Sequence, residues 1–268
     1  MSIGIRCKLN LDFKTSLKAL YSINENPGLK NDELVSIVGV NFPKIRAYKN
    51  LLRVLGLYVS KNVTQRGKII LLKDRYLDDA LTKWLLHYLL ARNPEAEVWY
   101  YLTNKFIPKL SEFTKEQAMN ALIKNGIATN VSRAKFEHFK DDVMFFIDKA
   151  FSDKNNLAGI GYLSKESDRY RKTYPQQLHP LFVAYVLFDQ RKEKYPEVKT
   201  VSINELLTAD GNVGKVCLLN RENLEKFLYQ LQGMGYLVVS KFADLDQVAF
   251  KFEGDPLEIL EKYCKSMK

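Results

Sequence analysis

The third helix expected from the sequence carries the side chains with the clearest chemical potential. Arg46, Asn50 and Arg53 recur at i, i+4 and i+7 and therefore share one helical face. Lys49 lies beside this face and Lys44 lies near its start. Arginine and asparagine can pair with guanine and adenine edges in the major groove, and lysine suits phosphate. Because the face holds no carboxylate, whereas an ordinary solvated surface mixes both signs, the pattern predicts contact with duplex DNA.

A basic hairpin is expected to extend this surface. Residues 57–60 and 68–72 have the composition of two strands around a polar loop, which would form a wing beside the helix. The wing would place Lys61, Arg66 and Lys68 against a neighbouring phosphate backbone. The full predicted DNA-contacting set is Lys44, Arg46, Lys49, Asn50, Arg53, Lys61, Arg66 and Lys68.

Signatures of catalysis are few. The turn at 211–216, GNVGKV, has the wrong glycine spacing for a phosphate-binding loop and a valine where the hydroxyl belongs. Neither a Gly-x-Ser-x-Gly elbow nor a His-Glu-x-x-His motif is present. His87, His138 and His179 are dispersed, and the apolar surroundings of His87 favour a satisfied core residue over a base. The sequence therefore assigns no catalytic residue.

A cluster of aspartates invites a metal-site interpretation. Asp74, Asp78 and Asp79 precede an apolar helix, where carboxylates cap the first turn and complement the helix dipole. Capping is the favoured interpretation, so no metal site is predicted and no cofactor is assigned. Mg²⁺ or Mn²⁺ would be needed only if the protein nicks DNA, because phosphodiester cleavage requires charge stabilisation at the leaving oxygen.

The surrounding elements predict a mainly α fold with small β-hairpins (α+β). Helices are expected over 14–26, 31–38, 42–55, 76–91, 94–106, 113–126, 132–150, 179–191, 202–208, 220–232 and 256–266, and further strands over 236–240 and 248–252. Three domains follow: a basic winged-helix domain (winged helix-turn-helix) over 1–75, a helical domain over 76–152 with a candidate second helix-turn-helix, and 153–268. The last begins as the least regular part of the chain, a connector over 152–200, and ends in a winged-helix-like module.

The positive charge is concentrated in the first of these domains. The chain of 268 residues has a net charge of +10, yet residues 1–73 contain 13 Lys/Arg and 4 Asp/Glu, whereas residues 74–268 contain 28 and 27. Such a distribution is typical of a module that binds a polyanion. Three widely spaced cysteines and the absence of a membrane-spanning apolar stretch or a secretory signal predict a cytoplasmic protein.

Four stretches point to a family. They are YLDDALTKWLLHYLLARNPEAEVWYYLTNKF at 76–106, KFEHFKDDV at 135–143, LFVAY at 181–185 and VSINELLTADGNVGKVCLLNRENL at 201–224. In these the chain resembles an uncharacterised-domain family encoded in bacterial DNA phosphorothioation loci of the single-strand, Ssp type. The resemblance covers nearly the whole chain.

The resemblance implies a role in phosphorothioate-based antiviral defence, as the component that nicks or engages double-stranded DNA. Its implied partners are a cysteine desulfurase, a PAPS-reductase-like sulfurtransferase and an ATPase. Family members open with a Phe, His, Glu, Thr and Phe cluster where this chain has LNLDF at 9–13; if that cluster is catalytic in relatives, this chain binds DNA without cutting it. Two alternatives remain open, a transcriptional regulator of such a locus and a protein-interaction scaffold.

Overall fold

The computed structural model describes residues 12–127, 132–175, 177–242 and 245–266. The helices are α1 Phe13–Glu25, α2 Asn31–Val38, α3 Phe42–Val54, α4 Gln65–Lys73, α5 Ala80–Ala91, α6 Glu97–Tyr101, α7 Lys115–Lys124, α8 Arg133–Met144, α9 Pro180–Lys194, α10 Ile203–Thr208, α11 Val213–Val216, α12 Arg221–Gly233 and α13 Pro256–Ser266. The strands are β1 Tyr58–Val59, β2 Asn62–Val63, β3 Glu112–Thr114, β4 Leu163–Glu166, β5 Arg169–Lys172, β6 Thr200–Ser202, β7 Leu237–Phe242 and β8 Leu245–Phe250. The prediction of a mainly α fold with small β-hairpins is confirmed.

Local capping signals account for the first three helices. Asp12 accepts a hydrogen bond from the Thr15 amide at the start of α1, and Asn41 accepts one from the Lys44 amide at the start of α3. Gly39 ends α2 in a left-handed conformation, at φ +81°, which glycine adopts without steric cost. These three helices match the expected ranges within a residue or two, because their limits are set by neighbours in sequence.

The predicted second strand of the wing is wrong. Residues 68–72 belong to α4, which Thr64 caps by accepting a hydrogen bond from the Gly67 amide. The hairpin is much shorter than expected and consists of β1 and β2 alone, two residues each. A short apolar run fits a buried strand and a buried helix equally well, and here packing of Ile69 and Ile70 into the core decides for the helix.

Helices α5 and α9 form the centre of the molecule. Ten consecutive residues of α9, Leu181 to Gln190, are buried, as is every residue of α5 from Leu81 to Ala91 except Lys83. A helix that is apolar on all sides requires neighbours on all sides. π-helical turns at Leu102–Phe106 and Phe145–Lys149 continue α6 and α8 beside this centre.

The stretch 152–200 is more regular than expected. It contributes β4 and β5, which join β3 in an antiparallel sheet of order β3-β5-β4, with Phe113 opposite Tyr170 and Lys165 opposite the same tyrosine. It also contributes β6, which pairs with β8 in the C-terminal sheet of order β6-β8-β7. Strands of three or four residues with charged outer faces leave little periodicity for a sequence prediction to detect.

Close packing explains the second glycine of the GNVGK turn, Gly214. A Cβ on Gly214 would lie 2.4 Å from the Cα atom of Leu207, so only glycine allows α11 to approach the end of α10. Lys215 beside it forms an ion pair of 2.7 Å with Asp210. Both residues therefore have structural partners within the C-terminal part of the chain.

One apolar cluster extends through the described residues, from Phe13 in α1 to Tyr263 in α13. Helix α13 packs against both α9 and α4 and so ties the end of the chain to its first quarter. The division into three domains stays a prediction. Within the described ranges, no helix has the length and apolarity needed to cross a membrane.

Candidate nucleic-acid interface

The exposed side of α3, hereafter the α3 basic face, comprises Lys44, Arg46, Lys49, Asn50 and Arg53. Arg46 and Arg53 are exposed, and the other three are partly buried. The opposite side of the helix packs into the core, as expected for Ile45, Tyr48 and Leu52, which the structure buries. The periodicity of α3 thus separates an apolar side from a cationic one.

Arg53 has a partner from outside the helix. Its Nη1 lies 2.9 Å from Oε2 of Glu95, with both side chains about half exposed, and its Nη2 donates to Oδ1 of Asn50 at 3.4 Å. Glu95 follows α5 in the chain, so inspection of α3 alone could not reveal it. A phosphate binding to Arg53 must therefore compete with a solvent-exposed carboxylate, a pairing that stabilises by less than about 1 kcal/mol.

Lys49 links the helix to the hairpin. Its Nζ donates to Oδ1 of Asn31 at 2.7 Å and lies 6.0 Å from the centre of the Tyr58 ring. The pKa of Lys49 is lowered, first because burial removes hydration from the ammonium group and second because Lys61 repels it. Lys61 of the hairpin is therefore near enough to Lys49 for the two charges to interact.

Lys61 lies at the tip of a strained turn. Val59 pairs with Asn62 across the hairpin, and the two residues between them, Ser60 and Lys61, have φ values of +48° and +70°. Two consecutive positive φ values define the tight turn that matches the twist of paired strands, and glycine or asparagine normally occupies it. Asn62 supports the turn by donating from Nδ2 to the Ser60 carbonyl at 3.1 Å.

This strain leads to a prediction about stability. Lys61→Gly is expected to be more stable than Lys61→Ala by up to about 1 kcal/mol, because alanine keeps the left-handed strain and glycine removes it, while neither carries the charge. The free energy of unfolding in urea measures the difference. An alanine variant as stable as the glycine variant would contradict the strained geometry of this turn.

Two residues predicted for the wing lie on α4 instead. Arg66 points inward: its Nε donates to the Tyr185 hydroxyl at 2.8 Å, its Nη2 lies 3.4 Å from Oδ1 of Asp189, and its side chain is 18% exposed. Lys68 is exposed and, with Lys61, lines a cavity of about 310 Å³ beside the hairpin. The structure thus brings Lys61 and Lys68 together and separates Arg66 from them.

Two exposed apolar side chains, on α2 and at the start of α3, were missed in the sequence. Ile37 near the end of α2 is 45% exposed, and Phe42 at the start of α3 is 40% exposed. Apolar side chains at the start of a recognition helix can contact thymine methyl groups. For Phe42 the sequence held a signal of exposure, because this residue lies between the cap Asn41 and Pro43 at the first turn of α3.

His87 is a core residue, as expected. Nε1 of Trp99 donates to Nδ1 of His87 at 3.0 Å, and Nε2 of His87 lies 3.0 Å from the Val216 carbonyl oxygen, to which it donates. Complete burial lowers the pKa of His87 to about 3. A neutral imidazole with both nitrogens engaged is unsuited to act as a base.

The aspartate cluster caps helix α5, as expected. Asp74 accepts from the amides of Asp78 and Asp79, and Asp79 accepts from the amides of Leu81 and Thr82. In the part of the chain that the structure describes, no three His, Cys, Asp or Glu side chains converge as metal ligands. Leu9, Asn10 and Leu11 of the LNLDF segment lie outside the described residues, as does Cys7.

The chain is similar to a protein family and to solved structures of the same fold. Residues 18–264 match the profile of a family described as "Protein of unknown function (DUF4007)". No curated protein matches the chain. Two solved structures, "Magnesium ion-bound SspB crystal structure" and "SspB crystal structure", match with TM-scores of 0.77 and 0.76, each at 16% identity and covering 100% of this chain and 88% of theirs. At that identity the likeness establishes a shared fold.

Proposed function

This chain belongs to the DUF4007 family, and we propose that it is the duplex-DNA-binding component of a phosphorothioate-based DNA modification and defence system. The observation that carries the proposal is the surface formed by α3 and the hairpin. Arg46 and Arg53 project outward from one side of α3, while Lys49 and Lys61 lie close enough for their charges to interact. Cations from two elements that gather on one surface release counterions when they meet a polyanion.

The place of the protein in a defence system has separate support. Four stretches of the sequence resemble a family encoded in phosphorothioation loci, and the fold is shared with proteins named SspB. The Ssp name agrees with the Ssp type of locus that the sequence resemblance implies. A desulfurase, a sulfurtransferase and an ATPase of such a locus are the proposed partners.

Substitutions on the α3 basic face test DNA binding directly. The double variant Arg46→Ala/Arg53→Ala is expected to weaken binding to a duplex about 10- to 100-fold and to reduce the slope of log K against log salt by about 2, as expected when two phosphate contacts are lost. Glu95→Gln should act oppositely and tighten binding several-fold, because it frees Arg53 from its carboxylate partner. Electrophoretic mobility shifts over a salt series measure both effects.

A matched control is available on the β3-β5-β4 sheet. Arg169 is an exposed arginine whose guanidinium pairs with Glu112, as that of Arg53 pairs with Glu95. Arg169→Ala should leave duplex affinity unchanged. Equal affinities for the double variant, the control and the unmodified chain would rule out the α3 basic face as the DNA-binding surface.

Nicking is a second candidate activity, favoured by the resemblance and by the fold shared with a magnesium-bound SspB structure. The described residues do not fit a three-ligand metal site, and the Asp74 and Asp79 carboxylates serve as caps. Relaxation of supercoiled plasmid with Mg²⁺ or Mn²⁺ would establish nicking, strong preference for one palindromic operator would indicate a regulator, and DNA-independent capture of a desulfurase or ATPase would indicate a scaffold.

A further inference from the structure

A groove beside α4 combines cations with exposed aromatic and apolar groups. It has a volume of about 1070 Å³ and lies between α1, α4 and the segment that follows α4. The Arg75 guanidinium lies 5.0 Å from the centre of the Tyr21 ring and 4.8 Å from that of the Tyr76 ring. The two tyrosines thus hold the arginine in place within the groove.

The groove also exposes groups that a folded protein usually buries. Tyr76 is 54% exposed, and Leu72 on α4 is 79% exposed. The exposed Tyr76 ring, with the Arg75 guanidinium against it, offers a flat, partly apolar platform in a groove that Leu72 also lines. Bases stack on such platforms with little regard to their identity, because every base has a π-face.

Cations continue from this platform to the hairpin tip. The cavity of about 310 Å³ beside the hairpin shares Asn24 and Lys68 with the groove, so the two form one path that ends at Lys61. Lysines that line such a path can contact the phosphates of an extended strand.

Four carboxylates also line the groove, and two of them are engaged in contacts within the protein. Asp74 and Asp79 accept backbone hydrogen bonds, and Asp79 also lies 3.8 Å from Nζ of Lys73. Glu25 and Asp78 are exposed. The path is lined by four cations and four carboxylates in all, so stacking on the platform, and not net charge, is the main attraction for a nucleic-acid strand.

We propose that this groove binds an unpaired strand of nucleic acid, with a base stacked on Tyr76 and phosphates held by Arg75, Lys68 and Lys61. An unpaired strand is favoured over a duplex because paired bases are stacked inside the helix and present only their edges. The proposal goes beyond duplex binding by the α3 basic face, since Tyr76, Arg75 and Lys68 lie outside that face and the ligand is a different form of nucleic acid; Lys61 is common to both surfaces. A protein occupant is the alternative that the experiment separates.

The test compares two probes on the full chain by fluorescence anisotropy: a labelled oligothymidylate of about 15 nucleotides and a duplex of the same length. Tyr76→Ala is expected to weaken oligothymidylate binding about 5- to 100-fold, the loss of one stacked base. Leu72→Glu should also weaken it at least about 10-fold, because it places a negative charge in the groove. Since the Leu72 side chain is exposed, this second variant is not expected to impair folding.

Two controls separate this proposal from duplex binding. Tyr229 on α12 is 46% exposed and lies beside the cation of Lys241, so Tyr229→Ala matches Tyr76→Ala at a site outside the groove. It should leave both affinities unchanged. Arg46→Ala/Arg53→Ala should weaken duplex binding while leaving oligothymidylate binding within about twofold, because those residues lie outside the path.

Oligothymidylate binding that is insensitive to both groove variants would overturn the proposal. So would equal losses of duplex and oligothymidylate affinity in Tyr76→Ala, which would indicate one shared surface. A chain that binds no oligothymidylate, yet captures a protein partner only while Leu72 is intact, would assign the groove to protein docking and also overturn it. Failure of the Arg46/Arg53 variant to affect the duplex would count against the α3 basic face alone.

Discussion

Asp189→Ala is expected to lower the free energy of unfolding by about 3 kcal/mol, as the loss of one partner from a largely buried ion-pair network does. Asp189 on α9 is paired with both Arg66 from α4 and Arg92 at the end of α5, and it accepts a hydrogen bond from the Tyr88 hydroxyl. Its side chain is only 10% exposed. Removal of the carboxylate would leave two guanidinium groups without their shared counterion.

Two features of the network place the expected loss of unfolding free energy at the low end of the range for buried ion pairs. The arginine side chains are about a fifth exposed, so water partly compensates for the missing charge, and Arg92 keeps an ion pair of 3.0 Å with Glu193. Glu166→Ala, which removes an exposed partner of Arg171, is the matched control and should cost less than about 1 kcal/mol. Chemical denaturation measures both variants, and similar small losses for the two would show that the network contributes little.

Acidification is expected to destabilise the protein through His87. Its pKa is about 3 in the folded protein, because of complete burial, and about 6.5 in an unfolded chain. The folded state therefore binds fewer protons than the unfolded state between these values, so stability is fully present above about pH 6.5 and falls as the pH drops toward 3. At pH 5 the contribution of His87 amounts to a loss of about 2 kcal/mol relative to pH 8.

His87→Gln isolates this effect. Glutamine offers a donor to the Val216 carbonyl and an acceptor to Trp99, yet it does not titrate. The unmodified chain should lose about 2 kcal/mol of unfolding free energy relative to the variant between pH 8 and pH 5. Contributions common to both proteins cancel in this comparison. These include His179, whose pKa is lowered by burial despite the opposing charge of Asp79. A difference that stays constant from pH 8 to pH 5 would contradict the burial of a neutral His87.

Wherever a prediction depended on neighbours along the chain, the sequence was a sufficient guide. The caps Asp12 and Asn41 and the terminating Gly39 fix α1 to α3 within a residue or two. The periodicity of α3 separates its buried side from its cationic one, and the apolar surroundings of His87 identify a core residue. Capping and periodicity act over three or four residues, so they are legible without knowledge of the fold.

Only the tertiary structure decided which charges meet. The partners of Arg66, Tyr185 and Asp189, lie 119 and 123 residues away, and Glu95, which pairs with Arg53, is 42 residues away. Whether 68–72 formed a strand or a helix depended likewise on packing against the core. Such contacts depend on how distant segments pack, and no local pattern specifies them. The sequence by itself therefore determined that a basic helical face exists, whereas the fold decided that Arg66, one of the eight predicted residues, turns away from it.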